Sequence, residues 1–433
     1  RFTPIQFIQL DVLPPKHKEF ALLEAVQGVN QHSVMLTLMN EDGSDRRTEV
    51  VNRDLQVKKL SGTRADKMRE LRARLIFTNM PNLVAGAINA TGADPEFFVD
   101  DENGNLIPSF KFLREKGNKE TSAETYEIER GKNADFEYGA TDIYWDGFQA
   151  EFTVASHGCH EVGTHYLRSG LQRLLAAAQK VDRKAKLSTK TLISVPLAEL
   201  ANTEEKFVEF GCKPSFNAYG LKSDLSAGGR NIPFRSSGGH IHMGLMAHQK
   251  NEKSIIEAVK MMDATIGLMG VCMFEKYDDP IRRTFYGMAG EYRTPAHGLE
   301  YRVLSNAWLF HPLVSNLVRD IARAGAVLGF SGYRKHIIGT EQEIVDAIQN
   351  CDVEKARKLL NANKELIMAM IGAVYGVDGS QRLAIFNALT HPIADFIENP
   401  DDIAGNWELG RQHSSQRNWY VRHYNFSAKK QRY

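Results

Sequence analysis

The chain has 433 residues, a length that predicts two or three structural units rather than one core. Hydrophobic residues make up 42% and charged residues 25% of it, which is an ordinary globular composition and excludes an intrinsically disordered chain. The 54 Lys and Arg residues balance 53 Asp and Glu residues, so the net charge of +1 indicates neither a nucleic-acid nor a membrane partner.

The cysteines and the apolar stretches indicate which kinds of metal site, compartment and membrane association are to be expected. The chain has four scattered cysteines, Cys159, Cys212, Cys272 and Cys351. They form no CxxC pair, which argues against a zinc site or a disulfide framework and favours a reducing compartment. The longest apolar stretch, Ala264–Phe274, is too short to cross a bilayer. Charged residues within the first 20 positions argue against a signal peptide.

The N-terminal segment, residues 1–62, is predicted to be a small β-rich module. Apolar residues alternate over Val34–Leu38, a turn follows at Glu41–Ser44, and a second strand-like run lies around Val50, Val51, Leu55 and Val57. A capped helix is expected over residues 64–77. Because this segment contains no recognisable chemistry, we interpret it as a structural or docking addition.

The central segment, residues 63–330, alternates strand and helix signals. Periodic apolar residues predict helices over Glu161–Val181 and Lys253–Phe274. Residues 113–137 are polar and charged, and are predicted to form a loop insertion.

The last segment, residues 331–433, is predicted to be helical with a basic tail. Thr340 to Glu343 is a capping box, and Asp352 is expected to begin another helix. The tail, residues 411–433, has six positive charges, no acid and five aromatic residues. Two interpretations stay open for it: a surface segment held by its aromatic residues, or an arm that docks on another protein or on nucleic acid.

Three short segments each place two strongly polar residues two positions apart in a strand-like apolar run. They contain Asp94 and Glu96, His240 and His242, and Glu300 and Arg302. Because residues i and i+2 of a strand point to the same face, each pair is predicted to project together. A fourth segment, Asp146–Phe152, adds Glu151.

These residue types indicate a site for metal and phosphate. Several carboxylates cannot be buried unpaired, so a face that carries them is either solvated or neutralised by cations. Carboxylates with a histidine suit Mg²⁺ or Mn²⁺ better than zinc, and substrate phosphates usually complete the shell of Mg²⁺. Guanidinium groups clamp phosphates and carboxylates, and four lie near the same segments: Arg282, Arg283, Arg293 and Arg302. This combination is typical of phosphoryl transfer to a carboxylate.

Each motif alone has a simpler explanation. A single His-x-His is more often a surface pair, Asp-Pro-Glu is usually the entry to a strand, and Arg-Arg is usually solvated. The tripeptide Glu-Tyr-Arg occurs at 291–293 and again at 300–302, which is also typical of cross-strand ion pairing.

In combination and in this order, however, the segments resemble the phage-type COOH–NH2 ligase (type 2) family, a branch of the glutamine synthetase and glutamate–cysteine ligase fold. The most specific stretches are Ser237–Leu245, Arg282–Gly290 and Glu291–Ser305. The resemblance spans roughly half of the chain, and leaves residues 1–88 and those after about 330 outside it. It implies an α+β fold: a curved antiparallel sheet with outer helices, flanked by the N-terminal β-rich module and the C-terminal helical region.

The resemblance also implies roles for particular residues. As metal ligands it implies Asp94, Glu96, Glu151, His240 and Glu300, with Asp94 and Glu96 facing different metals. It places His242 near the transferred phosphate, Arg282 and Arg283 at the nucleotide, and Arg293 and Arg302 among the catalytic groups at the acyl phosphate and substrate. Glutamine synthetase has two acids where this chain has Glu151, and the second is left open among Asp146, His157 and Glu161.

The activity implied is an ATP-dependent ligase that joins a carboxylate to an amine, through an acyl phosphate, to give an amide or isopeptide bond. Its cofactors would be ATP and Mg²⁺ or Mn²⁺, and its substrates small molecules or peptides. Two alternatives stay open: a catalytically silent virion structural or docking protein that retains the ligase fold, and a metal-dependent hydrolase. The expected location is the cytoplasm of the host cell or the virion. The expected partners are further copies of the chain or phage structural proteins. A membrane is not expected, and nucleic acid is disfavoured, although docking on it stays one of the two interpretations of the tail.

Overall fold

The computed structural model describes residues 6–9, 19–28, 31–40, 45–51, 90–115, 143–157, 160–209, 215–223, 228–245, 249–377 and 379–410, with backbone alone for residues 6–51 and 155–162. The chain divides into two compact units, Arg1–Thr78 and Asn79–Tyr433. The helix predicted over 64–77, most of the loop predicted over 113–137 and the basic tail lie outside the described residues.

The first unit contains a four-stranded antiparallel sheet in which neighbours in sequence are neighbours in space. Its strands are β1 (Gln6–Gln9), β2 (Glu19–Gly28), β3 (Gln31–Asn40) and β4 (Asp45–Val51). Val34 pairs with Val51 and Met35 with Val50, so the two strand-like runs of the sequence are neighbours in one sheet. Leu55 and Val57, which the second run was predicted to include, lie outside the described residues.

The second unit is built on an eight-stranded antiparallel sheet. Its strands are β5 (Thr91–Phe97), β7 (Ile143–Asp146), β8 (Gln149–Phe152), β9 (Val154–His157), β12 (Phe216–Asn217), β14 (Gly239–Gly244), β15 (Glu291–Arg293) and β16 (Gly298–Tyr301). The spatial order is β12-β15-β16-β14-β5-β8-β7, and β9 pairs with β5. Two small sheets pair β6 (Val99–Asp100) with β10 (Lys186–Leu187), and β11 (Leu192–Ser194) with β13 (Phe234–Ser236).

Helices make up most of the rest of the second unit. They are α1 (His160–Val181), α2 (Leu197–Asn202), α3 (Glu205–Val208), α4 (Glu252–Met262), α5 (Leu268–Met273), α6 (Arg282–Phe285), α7 (Pro312–Phe330), α8 (Glu341–Gln349), α9 (Val353–Ala362), α10 (Lys364–Tyr375), α11 (Gly379–Thr390) and α12 (Ile403–Asn406). Short 3₁₀ turns lie at Ser109–Lys111, Asn306–Leu309, Tyr333–His336 and Ile393–Asp395. An antiparallel sheet with separate helices confirms the predicted α+β class.

The helices predicted from periodicity are present with small changes of bounds. The first begins one residue earlier, at His160. The second is interrupted by a π-helical turn at Asp263–Gly267, between α4 and α5. Thr340 and Glu343 form the predicted capping box, and the Asp352 side chain accepts a hydrogen bond from the Lys355 backbone N–H, which caps the next helix.

One face of the central sheet is buried under helices. Ala93, Ile241 and Tyr301 lie on this face, and all are at most 2% exposed. The hydroxyl group of Tyr301 donates a 2.6 Å hydrogen bond to Asp263 in the π-helical turn, which fixes the turn against strand β16. Because side chains alternate along a strand, the intervening residues point to the opposite face of the sheet.

The C-terminal helices belong to the same compact unit as the sheet. Helices α8, α9 and α11 pack against α5, and α10 packs against α7. None of the helices in the described part of the chain is long and apolar enough to cross a membrane.

Candidate active site

The strand register places the predicted site residues in one row across the central sheet. The facing pairs are Glu151 with Glu96, Asp94 with His240, His242 with Glu300, and Glu300 with Arg293. Directly facing residues of antiparallel strands share a face, and so do residues two apart. The row therefore lies on the face opposite the helices, and runs from β8 through β5, β14 and β16 to β15.

Three carboxylates converge at one end of this row. Oxygen atoms of Glu96, Asp146 and Glu151 all lie within 4.8 Å of one another. The hairpin between β7 and β8 produces this proximity, because Gly147 adopts a left-handed conformation (φ 64°) and lets the chain reverse. Asp146 then lies diagonally across from Glu151, within side-chain reach.

The carboxylate cluster is held in place by the surrounding chain. Glu96 is 2% exposed and accepts hydrogen bonds from the Gly238 backbone N–H at 2.6 Å and from the Tyr286 hydroxyl at 2.8 Å. Glu151 accepts a hydrogen bond from the Tyr144 hydroxyl. Burial, and then the charge of Asp146, raise the pKa of Glu96 to about 7. A divalent cation would offset this repulsion, and three hard oxygen donors fit Mg²⁺ or Mn²⁺.

Asp94 lies beside the carboxylate cluster but forms a different contact. Its Oδ2 atom is 3.0 Å from Nε2 of His242, and Nδ1 of His242 is 2.9 Å from Nε2 of His297. His297 lies in the turn between β15 and β16. Burial, and then the charge of His242, lower the pKa of His297. A carboxylate and two imidazoles therefore form a continuous polar series along this part of the face.

Arg302 occupies the centre of the opposite half of the row. Its side chain is 1% exposed and donates hydrogen bonds to Glu300 and, at 2.9 Å, to the Tyr286 hydroxyl. Its Nη1 atom is 3.5 Å from Nδ1 of His240, and its Nε atom is 3.4 Å from Glu291. Burial and the charge of Arg302 are the two main causes that lower the pKa of His240.

Glu291 organises the loop before strand β15. Its Oε2 atom accepts hydrogen bonds from the backbone N–H groups of Gly287 at 2.6 Å and Met288 at 3.1 Å. Its Oε1 atom accepts another from the Ser215 hydroxyl at 2.7 Å. Together with Arg302, these contacts account for both oxygens of a carboxylate that is only 4% exposed.

The structure buries the side chains of Arg282 and Arg283, and the Arg282 guanidinium lies 5.6 Å from the centre of the Tyr286 ring. Both are at most 1% exposed. Arg282 donates to the backbone carbonyls of Val303 and Leu304, and Arg283 pairs with Asp278 at 2.8 Å. Their contact with a nucleotide stays a prediction. In the described structure their guanidinium groups hold the loop that leads into β15.

The sequence analysis did not assign a role to several residues that lie in the site. Asp146 was one of three alternatives for the second acid, and the Asp-Gly dipeptide, a common hairpin signal, could have selected it. His297 lies in a turn with Pro295 and Gly298, between the two Glu-Tyr-Arg tripeptides, and that spacing indicates a hairpin. The hydroxyl contacts of Tyr286 have no local signal, because they depend on three different strands. Arg293 and Glu300 face each other at 3.8 Å, so the cross-strand ion pair is present.

Comparison with known proteins gives low overall similarity. No curated protein matches the chain in sequence. Among solved structures, a GmaS/ADP complex (conformation 1) is 12% identical, with a TM-score of 0.38, and the match covers 81% of this chain and 76% of that one. A novel glutamine synthase homolog is 9% identical, with a TM-score of 0.35 and coverage of 86% and 78%. A bifunctional glutathione synthetase from Pasteurella multocida is 12% identical, with a TM-score of 0.31 and coverage of 82% and 55%.

One family model matches part of the sequence. It is described as phage phiEco32-like COOH.NH2 ligase-type 2, and it matches residues 221–408. The match contains the His-x-His strand, both Glu-Tyr-Arg tripeptides and helices α4 to α12. It extends beyond residue 330, which corrects the expectation that the C-terminal helices lie outside the family resemblance. Residues 221–408 of this chain are therefore similar to the phage phiEco32-like COOH.NH2 ligase-type 2 family.

Proposed function

We propose that the chain is an ATP-dependent ligase that joins a carboxylate to an amine. In the first step an oxygen of the substrate carboxylate attacks the γ-phosphorus of ATP, and ADP leaves. In the second step the amine attacks the acyl carbon, inorganic phosphate leaves, and the amine loses one proton. The substrates are small molecules or peptides, and the product is an amide or isopeptide.

One observation carries this proposal: the carboxylate cluster and the arginine and histidine groups share one face of one sheet. Glu96, Asp146 and Glu151 would hold Mg²⁺ or Mn²⁺ at one end of the row. When bound, such an ion offsets the negative charge of phosphate oxygens that approach the carboxylates. The family match of residues 221–408 supports the same class of reaction.

The two arginines on the face have different accessibility. The side chain of Arg293 is 26% exposed, whereas that of Arg302 is 1% exposed. Arg293 can therefore contact a phosphate or carboxylate from solution without rearrangement. Arg302 is already saturated with partners inside the chain, and we assign it to orienting Glu300 and Glu291.

The imidazole series supplies a place for the proton that the amine releases. The His242 ring lies between Asp94 and His297, with one ring nitrogen 3.0 Å from the Asp94 carboxylate and the other 2.9 Å from the His297 ring. We assign His242 to receive that proton, with Asp94 stabilising the imidazolium that results. No residue is required as a covalent nucleophile, and catalysis rests on positioning and on electrostatic stabilisation.

Formation of a hydroxamate tests the proposal. Protein, ATP, Mg²⁺ and hydroxylamine are incubated with a panel of carboxylates that begins with glutamate and peptides, and both hydroxamate and ADP are measured. We expect both products in equal amounts. Asp146→Asn removes one charge of the carboxylate cluster, and should lower the rate by about the 10²–10³-fold that one electrostatic group contributes.

Asp401→Asn is the matched control, because Asp401 is a carboxylate paired with Lys276 and Tyr277 outside the central sheet. It should retain the full rate. Formation of ADP without hydroxamate would contradict the ligase proposal and would indicate that the protein hydrolyses ATP. A protein that binds Mg²⁺ and ATP in its folded state is stabilised by them, so its thermal unfolding temperature should rise. If this temperature does not rise and neither product forms, a structural role is favoured over catalysis.

A further inference from the structure

The resemblance implies two metals, but the described structure forms only one three-ligand group. Asp94, His240 and Glu300 are the implied metal ligands outside that group, and are therefore those left for a second metal. They lie on three adjacent strands of the same face. Within the described residues, however, only Glu96, Asp146 and Glu151 present three ligand atoms within 4.8 Å of one another. The residues implied for the second metal therefore do not fit a second ion in this arrangement.

Each implied ligand of the second metal has a partner within the chain. The Asp94 carboxylate contacts His242 at 3.0 Å. Nε2 of His240 is 2.6 Å from the Tyr286 hydroxyl, so one ring nitrogen of that imidazole is already engaged. The Glu300 carboxylate accepts a hydrogen bond from Arg302. A cation at this position would have to displace all three contacts.

The Arg302 guanidinium is the positive charge at this position. It contacts Glu300, lies 3.4 Å from Glu291, and faces Nδ1 of His240 at 3.5 Å. Its side chain is 1% exposed, and the Tyr286 ring lies 5.0 Å from the guanidinium carbon. The buried Arg302 side chain therefore fills this position and neutralises the carboxylates of Glu300 and Glu291.

The charges of the two ends of the row differ accordingly. Glu300 and Glu291 are balanced by Arg302 and by Arg293, which is 3.8 Å from Glu300. A divalent cation at this end would lie against two guanidinium groups. At the other end, Glu96, Asp146 and Glu151 bring three carboxylate oxygens together, and Nε2 of His240 lies 3.9 Å from Glu96. The two guanidinium groups beside Glu300 therefore disfavour a divalent cation at that end.

We propose that this chain binds one resident divalent cation rather than two, and that the Arg302 guanidinium takes the place of the second. The inference rests on the proposed function, because the carboxylate cluster is the site of the single ion. An arginine is permanently charged and cannot be removed by a chelator. The charge at the Glu300 end is consequently independent of metal concentration.

The Tyr286 hydroxyl links the two positions. It lies 2.8 Å from Glu96 in the carboxylate cluster, 2.6 Å from His240 and 2.9 Å from Arg302. Gly238 makes room for this arrangement, since a Cβ atom there would lie 2.7 Å from Nε2 of His240 and 3.0 Å from the Tyr286 ring. The single ion and the guanidinium are thus connected through one buried side chain.

Binding stoichiometry tests the inference directly. The full chain is freed of metal with a chelator, and Mn²⁺ is titrated while free Mn²⁺ is followed by electron paramagnetic resonance. Nucleotide is left out, because its phosphates would bring ions of their own. We expect one Mn²⁺ per chain. Asp146→Asn should weaken this binding by at least tenfold.

The second variant is the double substitution Glu300→Gln with Arg302→Gln, which removes both charges and leaves neither buried alone. It should still bind one Mn²⁺, whereas loss of that ion would place the metal at Glu300 and overturn the inference. Two Mn²⁺ per wild-type chain would also overturn it, and would leave the ligase proposal intact. No Mn²⁺ bound to the folded wild-type chain would contradict the inference and the proposed function together.

Discussion

At the scale of single residues, the tripeptide Glu-Tyr-Arg occurs twice, and its two arginines differ in exposure. Arg293 and Arg302 each follow Glu-Tyr, yet their side chains are 26% and 1% exposed. Arg293 ends β15 next to the edge strand β12, whose two residues pair with Glu291 and Tyr292 but not with Arg293, whereas Arg302 follows β16, which lies between β15 and β14. Position in the sheet, rather than the local sequence, therefore separates the arginine that can meet a substrate from the one that is committed to the chain.

His297 provides the prediction at this scale. His297→Ala should lower kcat/KM for ligation by about 5–10-fold, because His242 loses a hydrogen bond worth ~1 kcal/mol that fixes its ring. His391→Ala is the matched control, since His391 is exposed and the described partners of its Nδ1 atom, Thr390 and Asn387, lie at the end of helix α11. Hydroxamate formation measures both variants. Equal rates for His297→Ala and wild type would remove His297 from the site.

At the scale of elements, the π-helical turn is a buried link between helix and sheet. Asp263 is fully buried there and accepts a hydrogen bond from Tyr301, whose strand neighbours are Glu300 and Arg302. Burial raises the pKa of Asp263 to about 7, although hydrogen bonds from Tyr301, from the Gly290 N–H and from Tyr219 act in the opposite direction. π-helical turns are frequent at functional sites, and this one supports the strand that carries the row.

The raised pKa predicts how stability depends on pH. Between its ordinary value of 3.8 and about 7, the folded chain holds a proton on Asp263 that the unfolded chain has lost. Protonation of Asp263 therefore contributes fully to the free energy of unfolding below pH 3.8. This contribution, on the order of 4 kcal/mol, is lost as pH rises from 3.8 through about 7.

Urea unfolding at pH 5 and pH 8, with a chelator present, measures this contribution. Asp263→Asn should lose less stability between the two pH values than the wild type, because an amide does not titrate and still accepts from Tyr301. Asp346→Asn, at a partly exposed carboxylate outside the site, should retain the wild-type difference. An Asp263→Asn variant with an unchanged difference would show that Asp263 is ionised in the folded chain.

At the scale of the whole molecule, the site residues belong to one of the two compact units. The row from Glu151 to Arg293 lies entirely within Asn79–Tyr433, which also contains the helices that cover the sheet. We predict that residues 79–433 alone unfold cooperatively and bind Mn²⁺ with the stoichiometry of the full chain. Circular dichroism during urea unfolding and the Mn²⁺ titration check this. A fragment that is unfolded, or folded but unable to bind Mn²⁺, would show that residues 1–78 are required.

The sequence was most informative where function depends on local spacing. The i, i+2 pairs identified the face of each strand, because alternation is a property of the extended backbone and needs no partner. The capping box at Thr340 and the helix over residues 160–181 were equally local. The π-helical turn was missed, since apolar periodicity continues through residues 263–267 and gives no signal of the wider turn.

The sequence by itself thus determined which residues share a strand face and what chemistry their types allow. Only the tertiary structure decided how they are grouped: Asp146 with Glu96 and Glu151, Asp94 with His242 and His297, and Glu300 with Arg302. The physical reason is that alternation along a strand is fixed by backbone geometry within a few residues. Grouping across strands depends on register, hairpin turns and the competition of buried charges for partners far apart in sequence.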